Sequence, residues 1–142
     1  MRFSPTALIF FILFSASCSK KKDTIQGGYV DVTLYSSDPS FFPLNTVNGW
    51  TYYDNGSSSG LKGLIIFRQT QDEFAAYDRA CTYDPTASCA LLEVESSGLT
   101  AVDSCCGSRF QITDGVVLKG PAAQMLIQYR TSFDGSVLHI FN

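Results

Sequence analysis

Apolar residues along this chain come in short runs, and no long stretch places them at helical spacing. The runs are rich in Tyr, Phe, Val and Ile and are punctuated by Gly, Asn, Asp and Pro, the pattern of strands joined by turns. It predicts an all-β fold, with strands near Tyr29–Tyr35, Trp50–Tyr53, Gly63–Arg68, Phe74–Asp78, Leu91–Val94, Thr100–Val102, Phe110–Ile112, Val116–Leu118, Gln128–Thr131 and Val137–Phe141. Asp114-Gly115 and Asp134-Gly135 each stand between two such runs and predict hairpins, with the Asp-Gly pair supplying the positive φ angles of a tight turn. The Ser-Gly-rich stretch from Asp54 to Gly60 reads as a flexible tip, too polar to pack. Phe41-Phe42 and Tyr52-Tyr53 read as core aromatics, with a ligand-facing aromatic surface as the alternative.

The first residues follow a different pattern. Arg2 precedes an apolar run from Ala7 to Phe14, and the small residues Ser15-Ala16-Ser17 precede Cys18. The run is too short for a bilayer core about 30 Å thick, which needs around 20 helical residues, so residues 1–17 read as an export signal. A Cys directly after small residues is similar to the lipobox of bacterial lipoproteins, in the looser form common in the Bacteroidetes, with Ser15 where Leu is most frequent. That resemblance implies lipidation of Cys18 and a chain anchored to a membrane leaflet in the cell envelope, on the periplasmic side or at the cell surface. Residues 18–26, with Lys20-Lys21-Lys22, read as a polar tether, and residues 27–142 as one β domain.

Charge narrows the class of partner. Without Arg2 the chain has nine basic and thirteen acidic residues, a net charge of −4 against −3 for the whole sequence, and its basic residues form no stripe outside the tether. No nucleic acid partner is expected. Residues 18–142 suffice for one domain with a real core, and the expected partner besides the lipid leaflet is an unidentified envelope protein.

The candidate chemistry lies in the second half. Cys105-Cys106-Gly107-Ser108-Arg109-Phe110, Asp114-Gly115, Gly120-Pro121-Ala122 and the closing Tyr129-Arg130-Thr131 to Ile140 follow one another in an order and at distances that resemble a Rieske iron–sulfur domain. The resemblance implies a Rieske-like antiparallel β-sandwich or small barrel bearing a two-loop, cluster-binding subdomain. In that family one loop reads Cys-x-His and the other Cys-x-x-His, so that two thiolates hold one iron and two imidazoles the other. Here Cys81-Thr82-Tyr83 and Asp103-Ser104-Cys105-Cys106 stand at those places, separated by the nineteen residues from Asp84 to Val102. The former ligand positions are therefore Cys81, Tyr83, Asp103 and Cys106, and only Cys81 keeps its usual chemistry. No cofactor is expected, the alternative being an atypical [2Fe-2S] centre.

With Cys18 lipidated, Cys81, Cys89, Cys105 and Cys106 remain, and outside a reducing cytoplasm disulfides are the default. Adjacent Cα atoms lie about 3.8 Å apart, below the usual disulfide range, so Cys105 does not bond Cys106. The resemblance further implies Cys89–Cys105, the extra disulfide of high-potential Rieske proteins, and leaves Cys81 and Cys106 facing each other, free to form a second. No Cys-x-x-Cys knuckle points to structural zinc. His139 is the only histidine; it lies in the last strand and cannot replace two imidazoles. No catalytic residue is expected.

Three readings of function follow. The first is a cluster-less Rieske-like lipoprotein acting as a binding or assembly module, for which the small subunit of some assimilatory nitrite reductases is a precedent. The others are an electron-transfer protein with an atypical [2Fe-2S] centre and a thiol-disulfide redox protein using Cys81 and Cys106.

Overall fold

The computed structural model describes residues 25–142. The expected signal, the lipidation site Cys18 and all but the last two residues of the tether lie outside the described residues. Ten strands form: β1 (Asp31–Tyr35), β2 (Trp50–Tyr53), β3 (Leu64–Arg68), β4 (Phe74–Asp78), β5 (Leu92–Val94), β6 (Thr100–Asp103), β7 (Arg109–Gln111), β8 (Val117–Lys119), β9 (Gln128–Phe133) and β10 (Val137–Phe141). They make a six-stranded sheet in the order β1-β10-β9-β4-β3-β2 and a four-stranded sheet in the order β5-β6-β7-β8, antiparallel throughout. Each expected strand is present, with ends shifted by up to two residues. Among the described residues no helix is long and apolar enough to cross a membrane.

The β3–β4 hairpin is the wall shared by two cores. Side chains alternate sides along a strand, and both strands are buried throughout. Leu64, Ile66, Phe74 and Ala76 face a core with Val32, Leu34, Phe41, Leu44, Leu138 and Ile140. Ile65, Phe67, Ala75 and Tyr77 face a second core with Cys81, Leu92, Phe110 and Ile112, beneath the small sheet. Each large apolar side chain so buried contributes roughly 1.5–3 kcal/mol. The two-loop region therefore stands on a wall that is packed from both sides.

The turns behave less simply than the sequence suggests. The Asp-Gly hairpins both form, but only Gly115 and Gly135 take positive φ, 76° and 97°. The aspartates act through their side chains: Asp114 Oδ1 accepts the Val116 N–H at 3.1 Å, and Asp134 Oδ1 accepts those of Ser136 and Val137 at 2.9 and 2.7 Å. These loops are longer than two residues, which leaves room for Asx turns.

The stretch from Asp54 to Gly60 packs at its end, where it departs from its reading as a flexible tip, while residues 54–57 are exposed. Ser59 is buried, accepts the Asn55 N–H at 2.6 Å and bridges Val30, while the Gly60 N–H donates to Tyr29 O at 3.0 Å. Polar residues here satisfy one another's backbone groups. A 3₁₀ segment at Pro39–Asn45 divides the aromatic pair, sending Phe41 into the core and leaving Phe42 at 75% exposure. Tyr52 lies under the Arg79 guanidinium at 3.8 Å and accepts the Val94 N–H at 2.6 Å, so it joins β2 to β5.

Candidate functional site

Two loops and a third segment build the site. The first loop leaves β4, carries Cys81 and is pinned by an Ala80–Leu91 bridge and by Cys81 N–H to Ala90 O at 3.4 Å. The second is the tight turn between β6 and β7. Asp103, the last residue of β6, donates its N–H to Ser108 O at 2.9 Å and accepts the Gly107 N–H at 2.7 Å. Gly107 turns the chain at φ 79°, a left-handed conformation that glycine adopts without penalty. The third segment, beyond the cis Gly120-Pro121 bond, closes over both: Ala122 N–H donates to Ser108 Oγ at 2.9 Å, and Thr82 Oγ1–H donates to Gln124 O at 2.7 Å.

A disulfide joins Cys89 to Cys105 with their Cα atoms 5.5 Å apart, tying the two loops together at the surface. Cys81 and Cys106 are free thiols. Their Sγ atoms stand 3.7 Å apart, against about 2.05 Å for a bond, so the second disulfide that the two were free to form is not made here. The Asp103 carboxylate occupies the space beside them instead: Cys106 Sγ hydrogen-bonds Asp103 Oδ2 at 3.0 Å and Ser108 Oγ at 3.1 Å.

Of the four positions that the sequence resemblance places around a centre, three converge. Donor atoms of Cys81, Asp103 and Cys106 all lie within 4.8 Å of one another. Cys81 and Asp103 are buried and Cys106 is half-buried. Tyr83 does not join them: its side chain is 57% exposed, and its backbone N–H, not its phenol, faces Cys81. His139 is elsewhere, on β10, paired with Asp31 at 3.0 Å and stacked on Phe141. Ser108 is the site residue that sequence reasoning missed. The Gly-Ser turn marked the fold, and nothing in it showed that the hydroxyl would reach Cys106.

Burial sets the electrostatics. It pushes the Cys81 thiol up to about 12, and the neighbouring Asp103 carboxylate and Cys106 thiol add to it, against a favourable N–H from Tyr83. Burial works to raise the Asp103 carboxyl too, but hydrogen bonds from Cys106 and Cys81 and from the N–H groups of Cys105 and Cys106 outweigh it and hold the group below its ordinary value. At neutral pH the Asp103 carboxyl is therefore charged and the Cys81 thiol keeps its proton. A thiol that stays protonated is a weak nucleophile, so this geometry does not favour thiol exchange at Cys81.

The donor set is also one short of a [2Fe-2S] centre, which takes four protein ligands, two to each iron. Among the described residues, the outward Tyr83 leaves the fourth place without a donor. A carboxylate already satisfied by thiol and amide hydrogens is a poor replacement for the missing thiolate.

No family model matches this chain, and no curated relative does. Among solved structures it is similar to the cyanobacterial plasma membrane Rieske protein PetC3 from Synechocystis PCC 6803, with 20% identity and a TM-score of 0.56 over 78% of this chain and 99% of that one. The ferredoxin of carbazole 1,9a-dioxygenase from Nocardioides aromaticivorans shares 14% identity, with a TM-score of 0.49 over 79% of this chain and 97% of that one. For the E. coli protein NirD the values are 16% and 0.42 over 81% and 97%. The fold is thus Rieske-like and all-β, with a large antiparallel sheet and a second, smaller one.

Proposed function

We propose that this chain is a cell-envelope lipoprotein, lipidated at Cys18, whose Rieske-like domain works without an iron–sulfur cluster as a binding or assembly module. The observation that carries this reading is the donor set. Three groups close on one another within 4.8 Å, and the fourth position, Tyr83, faces solvent. The high thiol pKa at Cys81 counts against a redox enzyme. A groove of about 590 Å³ beside the site, lined among others by Thr82, Gln124, Met125, Gln128 and Tyr129, supplies a recognition surface. Met125 presents an exposed apolar side chain there.

Visible absorption of the full-length chain, isolated without oxygen in detergent, tests the cluster-less reading. A spectrum without the charge-transfer bands of a [2Fe-2S] centre is expected, and such bands, bleached by dithionite, would establish the electron-transfer reading instead. That second reading draws its support from the fold shared with a protein named as Rieske. The lipid anchor is tested separately, since the Cys18→Ala chain should leave the membrane fraction.

A further inference from the structure

The converging donors have the chemistry and the spacing for a single ion. We propose that Cys81, Asp103 and Cys106 form a mononuclear site for a thiophilic divalent cation, zinc by its ligand preference. The inference rests on the cluster-less reading and names what this site binds in place of two irons.

Spacing is the first argument. In a tetrahedral site with metal–sulfur bonds of about 2.3 Å, two sulfurs are separated by about 3.8 Å along the edge of the tetrahedron. Cys81 Sγ and Cys106 Sγ are 3.7 Å apart, and a carboxylate oxygen of Asp103 lies 3.0 Å from the second sulfur. One small ion can reach all three atoms with little movement of the loops. Two bridged irons cannot share so compact a set.

Ligand chemistry is the second. Two thiolates select a soft or borderline ion over magnesium or calcium, and one carboxylate is compatible with zinc. On binding, the two thiols release their protons to solvent and the ion sheds bound waters as two metal–sulfur bonds and one metal–oxygen bond form. No electron is transferred and no co-reactant is needed. Two thiolates and a carboxylate against a divalent ion leave one negative charge, and donors to receive it are in place. Cys105 N–H already reaches Asp103 Oδ1 at 2.8 Å, and the Tyr83 N–H faces Cys81. Such outer contacts fix the direction of ligands and tune their basicity. Cys81 and Asp103 are buried whereas Cys106 is half-buried, so the open fourth position lies on the Cys106 side, within reach of water.

The experiment uses the full-length chain, isolated anaerobically, freed of metal with a chelator, and titrated with zinc and with cobalt(II) as a spectroscopic probe. One equivalent of cobalt should give a thiolate charge-transfer band and intense d–d bands of a tetrahedral ion, and zinc should displace it. Cys106→Ser and Cys81→Ser should each roughly halve the charge-transfer band. Asp103→Asn should keep that band and weaken zinc binding about 10-fold or more, and His139→Ala should change nothing. Zinc should raise the melting temperature of the parent chain and raise that of Cys106→Ser by less; circular dichroism verifies that each variant is folded.

Absence of the band in the folded parent chain, a band unaffected by Cys106→Ser, or recovery of Cys81 bonded to Cys106 in the anaerobic protein would overturn the inference and leave the cluster-less reading standing. Stoichiometric iron with inorganic sulfide would overturn both.

Discussion

Two buried aspartates, twenty-five residues apart, stand at the ends of strands in this domain and are used in opposite ways. Asp78, at the end of β4, accepts from Leu61 N–H at 2.6 Å, Lys62 N–H at 3.3 Å, Ala80 N–H at 2.8 Å and the Tyr129 hydroxyl at 2.7 Å. All its partners are rigid groups of the fold. Asp103, at the end of β6, accepts the backbone N–H groups of Cys105, at 2.8 Å, and Cys106, and also meets the Cys106 thiol at 3.0 Å, whose hydrogen an ion can replace. A buried carboxylate saturated by amides and a phenol is architecture. One shared with thiols is a place where chemistry can enter.

The largest effect should come from breaking the architectural one. Asp78→Ala strands a buried N–H and phenol and two half-buried N–H groups, and an unsatisfied buried donor costs about 1–3 kcal/mol, so a loss of about 4 kcal/mol in denaturant unfolding is expected. Asp103→Asn keeps an acceptor for Cys105 N–H and should cost only about 1 kcal/mol. Equal losses at the two positions would remove the distinction.

Next in size is the surface staple. The Cys89–Cys105 bond closes a loop of 16 residues, and such a loop contributes about 3 kcal/mol by restricting the unfolded chain. The Cys89→Ala/Cys105→Ala chain should unfold at correspondingly lower denaturant concentration. If it is as stable as the parent, the turn alone orders the second loop.

Tyr129→Phe removes one donor from Asp78 and should cost about 1–2 kcal/mol. It also carries a pH signature. Burial, followed by the hydrogen bond to Asp78 and its charge, raises the Tyr129 phenol well above its ordinary value. The folded chain therefore keeps a proton that the unfolded chain, with phenols near pH 10, gives up. Stability from this group is whole below about pH 10 and is lost as the pH rises beyond it. The Phe variant should lose that share of its alkaline sensitivity, as read from melting temperatures between pH 9 and 11.

The smallest effect is expected at Tyr77, fully buried in the core beneath the loops with no hydrogen-bond partner for its hydroxyl among the described residues. Burial, and then the charge of Asp114, pushes its phenol up to about 12. Tyr77→Phe removes an unsatisfied group and should be neutral or stabilising by up to about 1 kcal/mol. A clear loss of stability would mean that an ordered water or an ion serves the hydroxyl.

The strands were legible because their apolar residues recur in short runs bounded by turn residues, and burial rewards that pattern wherever it occurs. Phe41 and Phe42 were not separable, since a 3₁₀ segment sends neighbours in different directions and its register depends on the core it meets. The Asp54–Gly60 segment misled because its satisfaction comes from contacts with Tyr29 and Val30, far away in sequence. At the site, the convergence of the two loops followed from resemblance, whereas the outward Tyr83 and the inward Ser108 depend on loop dihedrals that no spacing encodes. The Asp78 corner was invisible, since an aspartate closing a strand looks the same whether it is solvated or buried.

The central claim is that the two-loop site, although held in a Rieske-like fold, is not an iron–sulfur site. Quantification of iron and acid-labile sulfide in the full-length chain isolated without oxygen tests it most directly. The account predicts that neither is present in stoichiometric amount. Equal, stoichiometric iron and sulfide, lost on Cys81→Ser or Cys106→Ser, would contradict it.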